Sequence, residues 1–295
     1  MYLMLPPLAA ETMFKIGSFP VTNSYINSTL ATLGFIVFAL IINKKIKKYY
    51  KNNTTPKGLL NFFEWILETL FGYFDQVTGD RKKTIKFLPI VGSFFFFILI
   101  SNWMGLIPGT GSLGVFQVHH GQIELIPILR PANADLNVTA ALAIFAVITS
   151  HIFGIATIGF FKYFNKFIKI GDVWTAVISL NPVKILVSII EFFVGFIEIF
   201  SELAKMVSLS LRLYGNIFAG EVLLTVIASL IQGYAAFGIP LPFIALELIV
   251  GIVQATVFSM LTLVYLSIAT ADIHSHESHE PSDIKENKPA TIAMT

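Results

Sequence analysis

Arg212 places a permanent positive charge inside the apolar run Val207–Ile227. In hydrocarbon such a side chain costs from about 3 to more than 10 kcal/mol, so it needs a partner or a task. The segment around it, Ser208-Leu-Ser-Leu-Arg212-Leu-Tyr-Gly-Asn216-Ile-Phe-Ala-Gly-Glu221, adds an amide one turn further on and then a carboxylate. At 100° per residue, Glu198, Ser201, Lys205, Ser208, Arg212 and Asn216 recur at intervals of three or four and share one helix face. Glu221 leaves that face: nine residues past Arg212, it is rotated by about half a turn and lies roughly 13 Å along the axis. Glu247 and Gln254 are seven apart on a later apolar run and share a face, about 10 Å from one another. Two carboxylates held close in a low dielectric cannot both ionise easily, so Glu221 and Glu247, if adjacent, would share a proton. The chemistry implied is ion relay. One polar route approaches Arg212 from one side and a second from the other, with a fixed cation between them. An unbroken water path would dissipate an ion gradient, whereas two half-routes need a moving carrier, and this sequence supplies none.

These residues must be positioned by membrane helices. The 295 residues are 55% hydrophobic and 13% charged, with a mean hydropathy of +0.75, outside the range of soluble domains. Runs long enough to cross about 30 Å of hydrocarbon cover Ser28–Ile42 (extended by Tyr25 and Ile26), Phe87–Ile107, Asn137–Phe161, Ile185–Ile231 and Leu241–Ala271. The fourth would form a helix about 70 Å long, so it must be tilted, bent or preceded by a surface segment. The fifth returns antiparallel to it after a turn around Gly233–Pro242, which matches Glu221 with Glu247 and Arg212 with Gln254 in depth. Asn61–Val77 alternates Glu64, Glu68 and Asp75 with Phe62, Phe63, Trp65, Phe71 and Phe74, the pattern of an amphipathic helix at a membrane surface. The expected fold is therefore all-α and polytopic, with about five membrane-embedded helices plus that surface helix.

Basic residues set the orientation. Lys44, Lys45, Lys47, Lys48, Lys51 and Lys57 follow the first run; Arg81, Lys82, Lys83 and Lys86 precede the second; Lys162, Lys166 and Lys169 follow the third. All share one side if the N-terminus is outside and the C-terminus cytoplasmic. Met1–Pro20 lacks a basic leader, so the chain is expected to enter through its first internal span. The expected division is an external segment 1–24, a membrane domain 25–271 and a polar cytoplasmic tail 272–295.

Other chemistries find little support. Without cysteine there are no disulfides, thiolate metal sites or thiol nucleophiles. The dispersed basic residues argue against nucleic acid. Gly105–Gly114 lacks the Gly-Lys-Ser/Thr ending of a phosphate loop, and His274, His276 and His279 read as tail residues rather than a metal site, so no cofactor or metal is expected. Glu191 and Glu202 read as facing water, and Arg130 with Asp135 as a loop ion pair. A secondary transporter would also place charges at mid-membrane, but its internal repeats are not evident here.

At these residues the sequence resembles subunit a of the F-type ATP synthases. The likeness rests on Ser208–Glu221, on Val253-Gln254-Ala255 through Leu263-Val264-Tyr265-Leu266, on Ser101-Asn-Trp-Met-Gly-Leu-Ile-Pro-Gly109, and on Pro131-Ala-Asn-Ala-Asp135-Leu-Asn-Val-Thr139. It extends from about Phe19 to Ala271. The resemblance implies a non-catalytic stator of the membrane Fo sector in a bacterial plasma (inner) membrane. Its last two helices would form a tilted hairpin against a ring of c subunits, with the b-subunit stalk and, indirectly, the F1 sector as partners. Arg212 would meet the ionised carboxylate of each passing c subunit. Asn216, Glu221, Glu247 and Gln254 would line the outer half-channel, and Glu198, Lys205 and Ser208 the inner one. The family often carries a histidine and a carboxylate at the positions of Glu221 and Glu247. Here both are glutamates, which keeps a sodium-translocating version open beside the proton reading.

Overall fold

A computed structural model of the chain describes residues 10–51, 58–107, 114–119, 122–167, 182–230 and 238–271. Seven helices carry the described structure: α1 (Asn23–Lys51), α2 (Leu59–Thr78), α3 (Arg81–Gly105), α4 (Leu136–Ile158), α5 (Phe160–Phe167), α6 (Pro182–Leu230) and α7 (Pro240–Ala269). Four of them, α1, α3, α4 and α7, are long and apolar enough to cross a membrane by length and composition. The turn residues 231–237, Asn181, Lys57, Lys169, His120 and the tail with its histidines lie outside the described residues.

Helix ends depart from hydropathy ends for identifiable reasons. α1 continues through its lysine cluster to Lys51, because lysine is a good helix former and backbone bonding does not stop where apolarity does. α3 begins earlier than its apolar run, since the Asp80 carboxylate accepts from the Lys82 N–H at 2.8 Å and caps the first turn. The third apolar run ends early as a helix: Gly159, at φ 96°, closes α4 at Ile158, and Phe160 and Phe161 open α5. α6 is a single helix of 49 residues, about 73 Å at 1.5 Å per residue.

Beside the helices stand two antiparallel hairpins that helical periodicity gave no reason to expect. β1 (Thr12–Ile16) pairs with β2 (Phe19–Thr22), and β3 (Gly114–His119) with β4 (Gln122–Pro127), in register from Gly114↔Pro127 to His119↔Gln122. They mark one end of the bundle, here termed the hairpin end. The opposite end, where α1 finishes, α3 starts and α5 follows α4, carries the lysines.

The core lies where α3, α4, α6 and α7 meet. Phe87, Val91, Phe94, Phe95 and Ile98 of α3 pack with Ala143 and Ala146 of α4, Leu209, Leu213 and Ile217 of α6, and Ala255, Phe258, Leu263 and Leu266 of α7. Hydrocarbon gives apolar side chains no reason to leave lipid, so close packing through small residues must supply the association. Gly251, Ala255, Ser259 and Thr262 form such a buried stripe on α7. By contrast, α6 exposes Phe193, Phe196, Ile197 and Phe200. α2 is two-faced as expected, with Leu60, Leu70 and Phe74 buried and Phe62 and Trp65 exposed. It runs back along α3, where Phe63 meets Phe96 and Arg81 pairs with Asp75 at 3.1 Å.

Candidate functional site: two polar clusters and an exposed arginine

At the hairpin end, a cavity of about 310 Å³ opens between the end of α3, the segment Pro127–Pro131, α6 and α7, with Glu221 and Glu247 in its wall. Arg130, 2% exposed, reaches across it. Its Nε donates to both Glu221 oxygens at 2.9 and 3.1 Å, and Nη2 donates to Oε2 at 3.0 Å. This fork geometry is the strong form of a charge-assisted bond. The expected loop pair with Asp135 is therefore corrected. Asp135 caps α4 instead, accepting from the Asn137 N–H at 2.9 Å, and that leaves Arg130 to neutralise a carboxylate 91 residues away.

A scaffold of amides fixes Arg130 in place. Asn27 of α1 donates to the Arg130 carbonyl at 2.6 Å, and Asn23 to the Pro127 carbonyl at 3.4 Å. Asn133 donates to Asn102 of α3 at 2.7 Å. All four asparagines are buried, so each bond answers a desolvation cost. In the sequence, Asn102 and Asn133 stand out only within segments that resemble the family, and Asn23 and Asn27 carry no role. Their signal was four amides bordering apolar runs.

Glu247 lies at the depth expected for it. A Cβ added to Gly220 would collide with the Glu247 carboxylate, which therefore occupies the space a side chain would fill beside Glu221. Glu221 nevertheless bonds to Arg130, which changes the shared-proton picture into one of a carboxylate held by a cation with a second carboxylate close by. Gln254 is buried at 8% exposure on the same face of α7, while Arg212 is exposed, and no hydrogen bond joins them.

α6 carries the expected stripe without interruption. Arg212 Nη2 donates to Ser208 Oγ at 3.4 Å, and Ser208, Arg212 and Asn216 are all exposed. Among the described residues no carboxylate lies within ion-pair distance of Arg212. Toward the lysine-rich end, Lys205 Nζ bonds Glu202 Oε1 at 2.7 Å and lies 5.2 Å from the centre of the Tyr265 ring. Glu202, read from sequence as facing water, is instead 15% exposed and also faces His151 Nε2 at 3.7 Å. Glu198 is half-buried one turn below it.

The arrangement thus holds a charge-paired cavity at one end, a polar cluster at the other, and an arginine displayed between them. The family described as ATP synthase A chain matches residues 25–267. Curated relatives are named ATP synthase subunit a. That of Mycobacterium ulcerans is 32% identical over 248 residues, covering 84% of this chain and 86% of the relative. That of Moorella thermoacetica is 27% identical over 255 residues, covering 86% and 94%. That of Legionella pneumophila is 29% identical over 268 residues, covering 91% and 94%. With most of its length matched by the family and by bacterial relatives, the chain belongs to the ATP synthase A chain family.

Proposed function

We propose that this chain is the stator of a bacterial Fo sector, passing protons along two offset half-routes to and from a ring of c subunits. The observation that carries the reading is Arg212: a permanent charge, exposed on a continuous polar face of α6, with no carboxylate of its own chain in range among the described residues. Its counter-charge must then arrive from outside, and an acidic group on a passing rotor helix fits. Such a group can face lipid only when neutral, whereas beside Arg212 its ionised form is favoured. Loading on one side and release on the other therefore give rotation a direction. Each elementary charge crossing 100 mV supplies about 2.3 kcal/mol, so several crossings are needed for each ATP. The ATP chemistry belongs to the F1 sector, and this chain is not a catalyst.

In this reading Asn216, Glu221, Glu247 and Gln254 line the half-route from the hairpin end, and Glu198, Lys205 and Ser208 the one from the lysine-rich end. The hairpin end faces outward and the lysines face the cytoplasm of a bacterial plasma membrane. Residues 1–24 form the external segment, 25–271 the translocating domain and 272–295 a cytoplasmic tail, with the b-subunit stalk holding the stator against torque. The test is Arg212→Ala in the complete complex reconstituted in vesicles. ATP-driven acidification is expected to disappear while the complex still co-purifies with its c ring; coupled pumping near the wild-type rate would overturn the proposal.

A further inference from the structure

At the lysine-rich end, α4, α5 and α6 converge on His151. Its Nδ1 lies 2.7 Å from the Tyr163 hydroxyl, and its Nε2 3.7 Å from Glu202 Oε2. Glu202 sits ten residues, or about 15 Å, below Arg212 on the same helix. The tightness of the site shows in Gly154: a Cβ there would collide with the Tyr163 ring and lie 2.8 Å from the Ala269 carbonyl, so α4, α5 and the end of α7 meet without room for a side chain. The His151 side chain keeps 26% exposure, so the ring joins a half-buried carboxylate on one side to an open face on another.

We infer that His151 is the proton-transfer residue at the lysine-rich mouth of the half-route leading to Arg212, with Tyr163 as its positioning residue. The inference rests on the stator reading above. When Glu202 is a carboxylic acid, it passes its hydrogen to Nε2, leaving a carboxylate and an imidazolium. The imidazolium then gives that proton to water, forming hydronium and the neutral ring, and the reverse sequence loads the route. No other reagent is needed. Imidazole is suited to this work because its charge changes between about pH 5 and 8.

Tyr163 holds the ring rather than carrying charge. Burial first, then Glu202 and Glu198, pushes its phenol up to about 12, so it stays protonated throughout the working range. The other charges facing His151 come from each packed element among the described residues. Lys205 bonds Glu202 on α6, and Tyr265 of α7 lies under Lys205. Lys86 of α3 lies 5.6 Å from the ring centre of Phe153, two residues along α4.

The experiment measures passive proton conduction through F1-stripped vesicles of the complete Fo complex while pH is varied on the lysine-rich side only. Wild type is expected to show a step in the histidine range. In His151→Ala the conduction should fall several-fold and the step vanish, with imidazole added on that side restoring rate. His151→Gln, which fills the space with a polar amide that cannot take the proton, should lose the step without needing the cavity refilled. Tyr163→Phe should move the midpoint of the step while changing the plateau little. If an assembled His151→Ala or His151→Gln complex keeps the wild-type rate and step, or imidazole restores nothing, the inference falls. Arg212→Ala, assayed in parallel for ATP-driven pumping by the intact complex, separates the two levels: if it does not pump while the His151 variants conduct as wild type, only the relay is wrong; if it pumps normally, the stator reading itself fails.

Discussion

Arg130 and Arg212 carry the same guanidinium within one bundle, yet the first is 2% exposed with three bonds to Glu221, and the second is exposed with, among the described residues, a 3.4 Å contact to a serine hydroxyl. Arg130 has its counter-charge built in, and removing either partner would strand a buried ion. Arg212 has its counter-charge left out, which suits a site whose partner must come and go. A charge satisfied permanently can only shape a cavity; a charge satisfied intermittently can do work on whatever satisfies it.

The sharpest way to break the contrast is to give Arg212 a resident partner. Ser208→Asp would place a carboxylate where Oγ already lies 3.4 Å from the guanidinium, and ATP-driven pumping in reconstituted vesicles is expected to fall more than about tenfold, as a local ion pair replaces the visiting one. The converse is to strip Arg130. Arg130→Met should leave Glu221 without its cation and destabilise the complex by about 3 to 5 kcal/mol, read as a drop in thermal midpoint in detergent, with Arg130→Lys intermediate because the two-pronged geometry is lost. Third, a cycle of Glu221→Gln, Glu247→Gln and the double variant reports whether the two carboxylates act as a unit. Coupling of about 0.5 to 3 kcal/mol in proton conduction is expected, and simple additivity would show that the Arg130 pair has isolated Glu221 from its neighbour. The smallest effect is that of Gly220→Ala. The new methyl displaces the Glu247 carboxylate, so conduction should fall a few-fold and recover in part with Glu247→Asp, whose reach is one methylene shorter.

What was legible in the sequence follows from what helical periodicity carries. The face shared by Glu198, Lys205, Ser208, Arg212 and Asn216, and the depth match between Glu221 and Glu247, depend only on residue spacing within α6 and on an antiparallel return. Arg130 was not legible in the same way. Its partner lies 91 residues away, and the orientation of its side chain is fixed by the turn after β4 and by amides from α1 and α3. Asp135, five residues on, offered a plausible local partner, but helix capping uses Asp135 first. Glu202 was misread for a related reason: only the fold brings His151 to its other side.

The unbroken backbone of α6 has a genetic corollary. Glu202, Arg212 and Glu221 share one helix of 49 residues, so their mutual phase is set by residue count alone. A substitution anywhere along it alters one contact, whereas inserting or deleting a single residue between Glu202 and Glu221 would rotate everything beyond it by about 100° and shift it by about 1.5 Å. The chain should therefore tolerate many exchanges of side chain on the outer faces of this helix and almost no change in its length, the signature of a part selected as a ruler.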